Sequence, residues 1–185
     1  MADCLSYNCE DMVDHEIVSE NCQGSRLAGF PHAVFFECGE TPADWSDGAE
    51  IQALITAGNA WEVFNIKAGF GDPSPITAPA KTSCGVEQVI NYDRTLEIED
   101  YTVTETNRQF WSTLNGGRVV GGALLNECDT EGYTSKSTVV DAEISFQGAR
   151  RVANNNGENQ FFGVTASWRS RTDPEIVDTP TGVFS

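Results

Sequence analysis

The sequence predicts a mainly β fold: an antiparallel sandwich or barrel with one or two short helices covering it. Three observations lead there. The 185 residues include seventeen Gly and seven Pro beside 39% apolar residues, so the chain can bury one core but must turn often. Two late segments alternate with the period of a strand. Val140, Ala142, Ile144 and Phe146 interleave with Asp141, Glu143 and Ser145, and Phe162, Val164, Ala166 and Trp168 interleave with Gly163, Thr165 and Ser167. The helical stretches are few and short, without the strand–helix alternation that a parallel sheet requires.

Taken in order, residues 1–29 show no lasting period and read as an irregular acidic arm, with a short helix near Met12 to Val18. Ala33 to Glu37, bounded by Pro31 and Gly39, is a buried strand. Thr41-Pro42 with Asp44 suggests a helix start, Ile51, Leu54 and Ile55 share a face, and Gly58 offers a stop. Ala60 to Ala68 is a strand. Residues 69–82, with Pro73, Pro75 and Pro79, read as a long loop, the kind of segment that meets a partner.

Leu96, Ile98, Tyr101 and Val103 continue the strand pattern from Val86. Thr106 and Gln109 offer a capping box for a helix carrying Phe110, Trp111 and Leu114, which Asn115-Gly116-Gly117 ends. Val119 to Leu125 is a further strand, and Glu127 to Lys136 a polar loop. The segment Ala153 to Gly157 tolerates positive φ, so the two alternating strands around it pair as a hairpin. The β-rich domain thus covers residues 30–172, with about seven strands, and residues 173–185 form an extended tail.

Charge sets the class of partner. With 28 acidic against 11 basic residues the formal charge is −17, which repels nucleic-acid phosphates and anionic membranes, so neither is an expected partner. Eleven acids against Arg26 alone place −10 of this within residues 1–50, as a solvated surface or a docking face for a basic partner. No window has the length of apolar residues needed to cross a bilayer. The opening from Met1 lacks a basic segment followed by an apolar one, so no leader is expected. Cys4, Cys9, Cys22, Cys38, Cys84 and Cys128 are irregularly spaced. Only Cys4 and Cys9 approach a zinc knuckle, which leaves free thiols, disulfides and zinc all open.

Signatures of catalysis are missing: there is no nucleophile elbow, phosphate loop, dinucleotide fingerprint or zinc-hydrolase helix. No catalytic or cofactor-binding residue is assigned, and no cofactor is expected. His15 and His32 have no orienting partner legible in sequence, and Glu97 and Glu99 share one strand face that a solvated surface explains. The oxygen-rich runs Asp129 to Gly132 and Asn154 to Glu158 lack the spacing of a calcium loop. Trp45, Trp61, Trp111 and Trp168 are candidate stacking platforms should the chain be a ligand- or carbohydrate-binding module.

From Asp93 onward, an acidic alternating strand precedes the Phe110-Trp111 helix, and strands follow at Val119 to Leu125, Val139 to Gln147 and Phe161 to Arg169. This order resembles tailed-phage virion proteins of the tail-tube type. The resemblance covers about the last hundred residues and rests on no invariant motif. It implies a homo-oligomeric structural subunit of the virion, in a tail tube, connector ring or capsid decoration, assembled with other structural proteins in the host cytoplasm. An acidic surface suits a lumen that transmits DNA. The cysteine-bearing arm departs from that family's pattern.

Overall fold

The computed structural model describes residues 29–78, 88–115, 118–127, 136–151 and 160–184. The expected helix near Met12 to Val18, the calcium-like runs, the hairpin tip and every cysteine except Cys38 lie outside them. The described chain is mainly β, as expected. In order it comprises β1 (Phe30–Glu37), α1 (Gly48–Ala57), β2 (Ala60–Phe70), β3 (Ser74–Ala78), β4 (Gln88–Asp100) and α2 (Glu105–Asn115). These are followed by β5 (Val120–Asn126), β6 (Lys136–Val140), β7 (Ser145–Arg151), β8 (Phe161–Ser170) and β9 (Glu175–Asp178).

All pairings are antiparallel, in the order β7-β8-β4-β2-β1-β5-β6-β9, with β3 beside β4. The sheet rolls up on itself: Val120 of β5 and Ile144, next to β7, exchange both backbone hydrogen bonds at 3.0 and 2.9 Å. The segment Val139 to Gln147, expected as one strand, is therefore two. From Ala123↔Val140 to Val120↔Ile144 the chain takes one more residue than β5 does, a bulge at which it bends away from β5 to join β8. A bend of this kind carries a strand round the corner between two packed layers. The alternation survives it, since Val140, Ile144 and Phe146 are buried while Asp141, Glu143 and Ser145 are exposed.

Two apolar clusters result. The larger lies inside the roll, where Phe35 of β1 meets Phe146 of β7 edge-on at 5.4 Å and α2 lays Trp111 and Leu114 across the opening. The smaller lies outside β1 and β5, where Val34, Phe36 and Leu124 are covered by Ile51 of α1 and by Val183. Strand β1 is buried on both faces, which is why its sequence reads as a continuous apolar run.

Helix α1 starts later than Thr41-Pro42 suggests. The Asp47 carboxylate accepts from the Ala49 and Glu50 amides at 2.9 and 3.3 Å, while Asp44 is spent on a turn to Ser46. An acid two or three residues before free amides outcompetes a proline signal upstream. Gly58 ends the helix as expected, at φ 81°. Helix α2 is capped by Thr104 rather than Thr106: the Thr104 hydroxyl accepts from the Asn107 amide, and its carbonyl accepts from Arg108. The Glu105 carboxyl in the first turn is held down to about 2 by hydrogen bonds from Arg108 and Gln109.

Residues 173–184, expected as part of an extended tail, are docked on the domain, with Thr181 to Val183 in a turn. Glu175–Asp178 pairs with β6, Pro180 and Val183 are buried, and Gln52 Nε2 donates to the Gly182 carbonyl at 3.0 Å.

Candidate interaction surface

Strand β4 is thirteen residues long, and only part of it belongs to the roll. Its partner β8 reaches no further back than Tyr92, and β2 covers only Leu96 to Asp100. Among the described residues, Gln88–Asn91 therefore pair only with β3, in a two-stranded ribbon that runs out past the end of β8. The segment 69–82, expected as a loop, is strand at Ser74–Ala78, because Ser74 to Ala78 find backbone partners from Asp93 to Gln88. Pro75 fits an edge strand, where a missing amide costs nothing if it faces outward.

The ribbon has an unusual surface for this chain. Val89 and Ile90 are 42% and 51% exposed, and Ile90 is the extra residue of a bulge, since Ile76 pairs with Asn91 and Thr77 with Val89. Neither Ser74–Ala78 nor Gln88–Asn91 contains a charged residue, although the whole chain carries −17. At the ribbon's base Phe70 is exposed on one side and rests against Phe30 and Trp168 at ring distances of 5.2 and 6.0 Å. Two isolated strands are marginally stable in water, so a ribbon with exposed apolar side chains gains from being covered.

On the open side of β7 the surface is blocked. The Asn115 side chain bonds both the amide and the carbonyl of Gly148, at 3.2 and 2.9 Å, and so takes the place of a neighbouring strand on the open side of β7. Position 148 must be glycine, since a Cβ there would lie 2.5 Å from the Gly163 carbonyl oxygen. Tyr101 stands against Phe161 at 5.6 Å and donates to Glu99 at 2.6 Å, which pushes its phenol pKa up.

The residues singled out in the sequence are scattered rather than gathered. Glu97 and Glu99 lie on the outer face of β4, Glu99 within 3.7 Å of Lys67. His32 sits between Phe64 and Phe184, and partial burial pushes its pKa down. Among the described residues no group of three His, Cys, Asp or Glu is placed to hold a metal ion. Cys38 is a free, exposed thiol. Of the four tryptophans, Trp111 and Trp168 are each only 5% exposed and belong to the interior. Trp61 lies under the Arg118 guanidinium at 5.2 Å, and Trp45 has its ring edge-on to Phe36 at 5.2 Å.

No helix among the described residues is long and apolar enough to cross a membrane. No protein-family model, curated protein or solved structure matches this chain.

Sequence reasoning missed the ribbon because Pro73, Pro75 and Pro79 weigh so heavily toward a loop. The alternative signal was present in Pro75-Ile76-Thr77 facing Val89-Ile90-Asn91, two short apolar-polar runs on either side of a turn-rich stretch.

Proposed function

We propose that this chain is a structural subunit of a virion, in a tail tube, connector ring or capsid decoration, and that it works through protein–protein contacts rather than catalysis. The observation that carries this reading is the β3–β4 ribbon, an uncharged projection with Val89 and Ile90 exposed on an otherwise acidic chain. Like charge keeps copies of a −17 chain apart, so association concentrates where charge is absent. The placement of the virion class rests on the resemblance in element order from Asp93 onward, with α2 followed by β5 to β8.

The reading predicts salt-dependent assembly. Purified full-length chain followed by light scattering should grow in mass with protein concentration, and growth should start at lower concentration as salt screens the repulsion. A single monomeric species across the whole concentration and salt range would contradict it.

A further inference from the structure

A second surface lies away from the ribbon, at the start of β9. There a cavity of about 240 Å³ is lined by Trp45, Val140, Ser170 and Thr172 and edged by Asp141, Asp173 and Glu175, and among the described residues no Lys or Arg lines it. Asp173 is engaged by Arg94 at 2.8 Å. Asp141 and Glu175 are exposed and have no ion-pair or hydrogen-bond partner among the described residues. Beside the cavity, β9 is the last strand of its sheet. It bonds β6 on one side, and its other side has no backbone partner among the described residues. Alternate residues of a strand aim N–H and C=O sideways, so this edge presents unpaired donors and acceptors. Ile176, on the same strand, is 62% exposed.

We infer that β9 accepts an extended peptide of another protein as an added strand, and that a lysine or arginine of that peptide enters the cavity. An open edge supplies main-chain hydrogen bonds, and a pocket beside it supplies choice of side chain, the two parts that strand addition needs. The choice is cationic because the cavity's rim carries two uncompensated carboxylates and its lining is largely polar. Trp45 can lie along the methylene stem of a lysine or arginine while the carboxylates attract its charged end. The cavity is smaller than a typical pocket for a drug-sized ligand, of roughly 300 Å³ or more, and so fits one side chain better than a free metabolite. The occupant is a different protein: a second copy brings 28 acids against 11 bases to an edge that already ends in Glu175 and Asp178. This inference does not depend on the ribbon or on assembly.

A short fluorescein-labelled peptide of alternating Val and Thr with one central Lys, titrated with the full-length chain and read by anisotropy, tests it. Binding should be tightest at low salt. Replacing the Lys by norleucine should weaken it about tenfold, and so should Asp141→Asn combined with Glu175→Gln, with the unfolding midpoint unchanged. N-methylation of alternate peptide amides, which removes the donors a new strand must offer, should abolish it. Equal binding of the norleucine peptide, undiminished binding of the N-methylated peptide, or no binding of the parent at millimolar concentration overturns the inference.

Discussion

Phe35→Ala should lower stability by about 3–5 kcal/mol, as removal of a fully enclosed phenyl ring does. Phe35 has no exposed surface, and its ring meets Phe146 edge-on at 5.4 Å, Trp111 at 6.1 Å and Phe110 at 6.5 Å. These partners come from β7 and α2, the elements that complete the roll opposite β1. The void would therefore open where β5 and the start of β7 are joined by the backbone pair Val120↔Ile144. Little can collapse into it without breaking that pair. Phe64→Ala on the outer face of β2, where the ring is already partly exposed, should cost well under half as much. Urea unfolding of the two variants, with the slope checked for constancy, makes the comparison. Equal losses would mean that Phe35 is not at the centre of the fold.

Asp100→Ala should be the second most damaging change among those considered. Asp100 is fully buried at the end of β4 and accepts from Trp111 Nε1 at 2.7 Å, Asn107 Nδ2 at 2.8 Å and the Thr102 amide at 2.8 Å. These bonds orient α2 so that Trp111 enters the interior. Asn107 and Thr102 are partly exposed and can turn to water, whereas the Trp111 indole N–H, itself buried, would be left without an acceptor. That orphan costs about 1–3 kcal/mol, and the two lost charge-assisted bonds bring the expected total to roughly 3 kcal/mol. Asp100→Asn keeps an oxygen for the indole and for Asn107 Nδ2, which bond the same carboxylate oxygen, but turns its own NH2 toward the Thr102 amide, so about half the loss should remain. If Asp100→Ala and Asp100→Asn unfold at the same denaturant concentration as the parent chain, α2 is not held by this carboxylate.

The strands of the interior were legible because burial on one face writes a period of two into the sequence. Phe162, Val164, Ala166 and Trp168 all point inward, and their neighbours Thr165 and Ser167 are exposed. Long-range pairing leaves no such trace. Nothing local says that the run from Val139 to Gln147 changes partner at Asp141 to Glu143, because the bulge preserves the alternation on both sides of it. Asp100 was invisible for a related reason: an acid at the end of an amphipathic strand looks like one more solvated charge until Trp111, eleven residues on, is folded back over it. The cap of α2 was misplaced because Thr104 and Thr106 offer the same chemistry two residues apart. The ribbon was hidden by its own prolines, which signal a loop although an edge strand tolerates them. The cavity beside β9 draws Trp45, Asp141, Trp168 and Glu175 from four separate parts of the chain, and no sequence spacing links them.

The central claim, that the chain assembles through the uncharged β3–β4 ribbon, is tested most directly by sedimentation velocity of the full-length chain beside a Val89→Asp, Ile90→Asp variant at matched concentrations. Both side chains are already exposed, so the variant should keep the parent's unfolding midpoint. The parent chain should sediment as a species larger than one subunit whose share rises with concentration, and the variant should sediment as a monomer throughout. A variant that assembles as readily as the parent, or a parent chain that stays monomeric at every concentration, would contradict the account.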